Sequence, residues 1–223
     1  MAGDSKAMVI ELLGANLETV FRQSKDRFQA AKVALIGIQM LKLIRHLHSK
    51  SFVHRDIKPE NFTIGLEELK NNIYMIDFGL AKYYRDPKIK LHMPYRNNKS
   101  LVGTARYASI NTHLGIDQTR RDDIEAMLYV LIYFLRGSLP WQGFKEAVKR
   151  KKYIKIMEAK LEIPIELLCK DLPREISNLL NYARFLKYDE KPDYEYMHSL
   201  LLKLLPPKSL QNELLFEREK PVI

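Results

Sequence analysis

Cysteine is nearly absent from this chain: the one residue, Cys169, has no intrachain partner for a disulfide, so a reducing compartment, cytoplasmic or nuclear, is expected. Long apolar runs are missing as well. The longest, Ala126 to Leu135 (AMLYVLIYFL), is ten residues, too short to cross a bilayer, and it reads as a helix buried on all sides. The opening MAGDSKAM has neither the charged head nor the apolar segment of a secretory signal. Gly/Ser- or Pro-rich tracts and internal repeats are also lacking, which leaves disorder improbable outside the ends. Glycine is scarce early: Gly3, Gly14 and Gly37 are the only ones before Asp56.

What is present is the composition of a folded protein. With 223 residues, 46% of them hydrophobic and 29% charged, the chain can bury a substantial core as one large domain or two small ones. Its 37 Lys and Arg outnumber 27 Asp and Glu, a formal charge of +10 that attracts anions: phosphates, acidic peptides or nucleic acid. Charge alone does not choose among them.

The apolar run Ala7 to Ile10 reads as a strand ending before Gly14, and Asn72 to Ile76 as a second strand facing Phe62 to Ile64 across a polar connection. Between them Val33, Ile36, Met40, Leu43 and Leu47 recur at three- and four-residue steps, the mark of an amphipathic helix ending near Ser49. From Asp77 to about Asn111 polar and basic residues with Pro87, Pro94 and Gly103 predict a long functional loop. Helices follow almost to the end. Asp122-Asp123 stands before the buried helix and Gly137 after it, with further helices near Gly143–Met157, Leu172–Leu186 and Asp193–Leu205. Pro206-Pro207 closes the packed region, and Lys208 to Ile223 reads as a loosely docked tail.

Chemistry concentrates at His54-Arg55-Asp56-Ile57-Lys58-Pro59-Glu60-Asn61, between that amphipathic helix and the strand beginning near Phe62. An acid and an amide five residues apart fit phosphoryl transfer, the Asp accepting a hydroxyl proton and the Asn reaching Mg²⁺. A second acid stands at Asp77-Phe78-Gly79, directly after a predicted strand, where a metal-binding carboxylate belongs on a Gly-containing turn. The two motifs in this order and context outweigh a chance cluster of solvated charges. Lys58 could be a surface lysine, but beside a transferred phosphate its charge would stabilise the transition state.

Together, "ELLGANLE", "HRDIKPENF", "IDFGLAK", "GTARYASINTHLG", "RRDDIE", "GSLPWQG" and "KPDY" make the chain resemble the casein kinase I family of serine/threonine protein kinases from about Met8 to Tyr196. Ser109-Ile110-Asn111 stands where most protein kinases have Ala-Pro-Glu, as in that family. The resemblance implies an α+β protein-kinase-like fold: residues 1–14 as the last strand of the N-terminal lobe and the hinge, 15–207 as the mainly helical C-terminal lobe, 208–223 as a tail. It implies Asp56 as catalytic base, Asn61 and Asp77 as Mg²⁺ ligands and Lys58 as the γ-phosphate contact. For ATP, Ile10 would border the adenine pocket, the backbone of Glu11 and Leu13 would bond the adenine edge, and Thr63 and Ile76 would lie beside the nucleotide. Asp123 would brace the backbone around His54 and Arg55. Acidic or phosphorylated protein substrates are implied, with Arg106 and Lys152 as one anion site and Arg55, Lys82 and Lys99 as a second. Arg suits a bidentate phosphate contact and Lys adds a point charge. For Lys152 a solvated helix face competes with the anion site, and the run Lys149 to Lys152 could also serve nuclear import.

Three departures from the family stand out. Thr63 replaces the apolar side chain usual under adenine, Leu128 replaces a glycine in the buried helix, and the tail after Pro206 follows no family pattern. A kinase also needs a glycine-rich loop and a strand lysine paired with a glutamate. Neither can be assembled from the residues before Asp56, and Lys32 to Ile36 (KVALI) imitates the lysine motif only inside a helix. Residues 1–223 alone are therefore expected to transfer little phosphate, and an incomplete copy of an active kinase is preferred over a truncated protein that works as written. The alternative is a non-catalytic kinase-like module binding acidic or phosphorylated partners. A nucleic-acid binder rests on charge alone, without a zinc or aromatic RNA-binding pattern, and a monomer is expected.

Overall fold

The computed structural model describes residues 8–24 and 27–206. Its framework is two long helices. Helix α2 (Ala30–Ser49) buries Val33, Ile36, Met40, Leu41 and Ile44, while Leu43 and Leu47 are half-buried at its edge. Helix α4 (Arg120–Arg136) is enclosed as its uniformly apolar stretch predicts: every residue from Asp122 to Leu135 is buried. Gly37 allows α2 to approach closely, since a Cβ there would meet the side chain of Leu131 at 2.9 Å and that of Leu201 at 3.3 Å. Leu128 stands in the same core at 0% exposure, so its large side chain is fully packed.

Helix α4 begins one turn earlier than expected. Thr119 is the N-cap and closes a capping box with Asp122, so Asp122 and Asp123 occupy the first turn rather than preceding the helix. The helix stops at Gly137, whose φ of 85° satisfies the left-handed cap that other residues adopt at a cost. Helices α7 (Arg174–Phe185) and α8 (Tyr194–Leu202) fall where the periodicity predicts them and pack Ile176, Leu179, Leu180, Met197 and Leu201 into the core.

Other elements differ from expectation. The run Met8 to Ile10 forms no strand; Met8, Val9 and Ile10 are 82, 95 and 62% exposed, because no described segment offers them a ladder partner. Ala7 lies outside the described residues, as does the tail from Pro207 onward. The helix expected from Gly143 begins at Lys149 instead (α5, Lys149–Glu162), since Gly143 takes a φ of +89°, incompatible with a right-handed helix. Short helices α1 (Leu17–Gln23), α3 (Ile110–His113) and α6 (Ile165–Leu168) carry too few residues to show a period.

Two small antiparallel sheets complete the described architecture, in keeping with a mainly helical α+β lobe. In one, β2 (Phe62–Ile64) pairs with β3 (Ile73–Met75), the pairing that the sequence predicts, and the register sets Phe62 opposite Met75. In the other, β1 (Phe52–Val53) pairs with β4 (Lys82–Tyr83). Between β4 and α3 the chain has no helix and only an isolated bridge between Arg85 and His92, which agrees with a long loop.

Candidate active site

Both sheets deliver their ends to one place. The turn from β1 to β2 carries Asp56, Lys58 and Asn61, and the turn after β3 carries Asp77. Ile76 donates its N–H to the carbonyl of Asn61 at 3.0 Å, which extends the β2–β3 ladder by one step and sets Asp77 beside Asn61. Asp77 itself has a φ of 60°, and its Oδ1 accepts from the Gly79 N–H at 3.2 Å. Asp77 is exposed, whereas Asn61 is buried.

The Asp56 carboxylate is the hub. Its Oδ2 accepts from Lys58 Nζ at 2.7 Å and its Oδ1 from Thr104 Oγ1 at 2.7 Å. Asn61 Nδ2 donates to the Asp56 carbonyl at 2.9 Å. A carboxylate has lone pairs beyond these, so Asp56 keeps capacity to accept from a further donor, and with Nδ2 engaged Asn61 Oδ1 is left as an oxygen ligand. For Lys58, burial disfavours the charged ammonium, but the hydrogen bond and charge of Asp56, with Glu60 and Asp77 adding, outweigh it and raise the pKa. The site thus keeps a permanent positive charge 2.7 Å from its central acid.

A buried network holds this turn in shape. Arg55 has a φ of 69°, and the strained backbone is pinned by Asp123, whose Oδ2 accepts the His54 N–H at 2.7 Å and whose Oδ1 accepts the Arg55 N–H at 2.9 Å. His48 Nε2 lies 2.9 Å from Asp123 Oδ2 and its Nδ1 lies 2.7 Å from Tyr194 Oη. Because a carboxylate can only accept, Nε2 carries the proton and Nδ1 accepts from the tyrosine. Burial pushes the His48 pKa down against the pull of Asp123, so the ring is neutral. For Asp123 burial favours the protonated acid, but the His48 hydrogen bond and the backbone N–H of His54 outweigh it and hold the carboxyl below its usual value. His54 also donates from Nε2 to the Ile76 carbonyl at 3.1 Å, tying the two motifs together.

Around Arg55 the chain forms a cleft of about 250 Å³ lined by Arg55, Lys82, Lys99 and Gln118, with Asp117 in its wall. Lys82 Nζ lies 2.5 Å from Asp117 Oδ2, so one of the three cations is already partnered. Arg55 Nε donates to the Leu80 carbonyl at 2.6 Å. Arg106 and Lys152 are supplied by different elements, the loop and α5, and neither lines this cleft. Buried Lys160 holds the loop around Arg106 by donating to the carbonyls of Ala105 at 2.9 Å and Ala108 at 2.5 Å.

The region expected to meet adenine is only partly formed. Ile10 and Glu11 are exposed and Leu13 half-buried in irregular chain, and the segment joins β2 where the Gly14 N–H donates to Ile64 O at 2.8 Å and the Ile64 N–H to Ala15 O at 3.0 Å. Thr63 is buried under this segment through a bridge to Asn16, and its Oγ1 has no hydrogen-bond partner.

This chain matches the family model of the protein kinase domain over residues 2–206. It belongs to the protein kinase domain family. As a phosphotransferase family acting on proteins, protein kinases generally use ATP and Mg²⁺. In this kinase domain the oxygen donors at hand, one exposed carboxylate and one amide, fit a hard cation that brings its own water and phosphate oxygens rather than one held in a closed protein cage. Among the described residues there is no group of three or more His, Cys, Asp or Glu placed to hold a metal.

Sequence reading missed three contributors to the kinase site. Thr104, directly after Gly103 in the long loop, was legible only as a hydroxyl in a loop. His48 reaches Asp123 from 75 positions away in the chain and Tyr194 reaches His48 from 146, and only the fold brings them together.

Proposed function

We propose that the chain is the catalytic lobe of a serine/threonine kinase of casein kinase I type, transferring the γ-phosphate of ATP to acidic or phosphate-primed protein substrates. In this reading Asp56 takes the proton of the substrate hydroxyl. Lys58 neutralises charge on the transferred phosphoryl group, and Asn61 and Asp77 would hold Mg²⁺, which would supply charge neutralisation for the phosphates. Asp123 positions this turn by fixing the backbone of His54 and Arg55.

The observation that carries the substrate class is the cleft formed by Arg55, Lys82 and Lys99 next to Asp56 in the chain. Asp117 cancels part of its charge through Lys82, which leaves a net attraction suited to one phosphate or carboxylate cluster rather than to a polyanion. Ser109-Ile110-Asn111 in place of the usual Ala-Pro-Glu supports the subfamily, and in the fold Ser109 caps α3 by accepting the Thr112 N–H at 3.0 Å and donates to Asp122 Oδ1 at 2.5 Å. Glu125 then supplies the buried acid facing Arg184, at 3.9 Å.

Peptide pairs differing only in one acidic or phosphorylated residue near the target serine test the proposal, with the chain joined to a lobe carrying the glycine-rich loop and lysine. The acidic peptide should show the lower KM, and Lys99→Ala should erase that difference while sparing kcat. Equal KM for both peptides would overturn the substrate class. Phosphopeptide binding with no transfer in any format would favour the non-catalytic module.

A further inference from the structure

A second cavity lies across the ridge Asn98 to Leu101 from the anion cleft. It is a groove of about 770 Å³ between that ridge, the turn after α3 and one face of α5, and Lys99 and Ser100 line both it and the cleft. The ridge is fixed in place: Lys99 donates its N–H to Gly115 O at 2.9 Å, and Gly115, at φ +77°, leaves no room for a Cβ beside Lys99 O.

The face of α5 in the groove has a definite composition. Lys149, Arg150, Tyr153, Ile154 and Met157 recur at steps of one, three, one and three, which places them on one side of a helix. That side borders the core side, which carries Ile156 and Lys160, and Tyr153 packs against the core at the boundary. Ile154 and, opposite it, Leu114 remain 41 and 51% exposed. No acidic residue lines the groove, while Lys99, Lys149 and Arg150 do. The first turn of α5 also holds only cations, and its N-cap Val148 makes no side-chain cap. Positive charge at a helix N-terminus opposes the helix dipole, so this arrangement is destabilising until an anion approaches. Lys149 Nζ lies 5.6 Å from the Tyr153 ring centroid, and half-exposed apolar side chains ringed by positive charge make an interaction surface rather than a solvated face.

We propose that this groove is a docking site for an extended, acidic segment of the protein substrate that carries apolar side chains, continuous with the anion cleft across Lys99. The proposal rests on the kinase reading for its occupant, a substrate protein, but not for its geometry. Carboxylates of the segment meet Lys149, Arg150 and Lys99, and its apolar side chains cover Leu114, Tyr153 and Ile154. The groove thereby extends recognition from one phosphate to the sequence beyond it, and selects acidic segments with apolar anchors over purely acidic ones.

The test is peptide binding to the chain of residues 1–223 by fluorescence anisotropy, without nucleotide. The probe is a phosphoserine peptide followed by alternating Glu and Phe, compared with the same peptide carrying Ser for Phe. The Phe peptide should bind roughly tenfold more tightly. Leu114→Asp with Ile154→Asp should abolish that advantage, and Lys149→Glu with Arg150→Glu should weaken both peptides. A milder Leu114→Ala with Ile154→Ala pair, with melting temperature checked, guards against a folding defect. An advantage for Phe that survives both apolar variants, or none at all, overturns the proposal. So does a duplex oligonucleotide that competes fully and loses binding in the Lys149 and Arg150 variant, since that assigns the groove to nucleic acid. If Lys82→Ala, which touches the cleft alone, leaves phosphoserine binding unchanged while the groove variants act as expected, the anion cleft fails and the groove stands.

Discussion

Gly103 lies against Arg55 so closely that a Cβ added to it would stand 2.2 Å from the Arg55 carbonyl oxygen. The contact joins the long loop to the strained turn before Asp56, and Thr104, the next residue, reaches the Asp56 carboxylate. A backbone oxygen cannot rotate away as a side chain can. Gly103 and Gly143 have similar positive φ, 92° and 89°, but around Gly143 a Cβ meets nothing within 4 Å. The pair therefore separates backbone strain from collision.

Gly103→Ala should destabilise the chain by more than Gly143→Ala, which bears the conformational cost alone, roughly 1 kcal/mol. Thermal melting of both variants checks the order. Only Gly103→Ala should also lower phosphate transfer, because it displaces Thr104 and the Arg55 backbone together. Equal effects on melting would show that the loop yields and that the contact does not hold the turn.

Asp123→Ala should be far more damaging than its distance from solvent chemistry suggests. It leaves the backbone N–H groups of His54 and Arg55 and the Nε2–H of His48 without their acceptor, and removal of one member of a buried network costs about 3 to 5 kcal/mol. Chemical denaturation should show that loss, and the His54 and Arg55 amides should exchange faster with deuterium. Unchanged protection of those amides would mean that another group fixes the turn.

The pH dependence of stability carries the signature of His113. Its Nε2 lies 3.2 Å from both Ala105 O and Lys160 Nζ, and burial, with the Lys160 charge, lowers its pKa from 6.5 to about 3. Between those values the unfolded chain binds a proton that the folded chain does not, so this group makes stability fall as pH drops from 6.5 toward 3. Asp122 acts in the opposite sense: burial raises its pKa from 3.8 to about 6, and folding takes up a proton between those values. In His113→Gln the acid loss should be reduced and the Asp122 contribution exposed. Denaturation curves from pH 7 to 4 for both proteins measure it, and parallel curves would remove His113 from the account.

Much of this was legible in the residues. The period of α2, the all-apolar α4 and the β2–β3 pair follow from local pattern, because each buries a face that its own sequence defines. The spacing of Asp56, Lys58 and Asn61 was equally readable, since one short turn holds all three. What was not legible depends on contacts distant in the chain. Asp123 was assigned a bracing role only by resemblance, and its partners His48 and Tyr194 come from α2 and α8. Met8 to Ile10 has strand-forming residues, yet a strand exists only where another pairs with it. The start of α5 was missed because Gly143 looked like part of the helix and its left-handed backbone does not show in a residue name.

The central claim is that Asp56, with Lys58, Asn61 and Asp77, performs phosphoryl transfer. The most direct measurement is incorporation of labelled phosphate from Mg·ATP into an acidic serine peptide by the chain joined in frame to a lobe bearing a glycine-rich loop and lysine, with Asp56→Asn alongside. The account predicts transfer by the parent and a loss of about 100-fold or more in the variant, the scale of a positioned general base. Absence of transfer, or transfer that Asp56→Asn leaves intact, would contradict it.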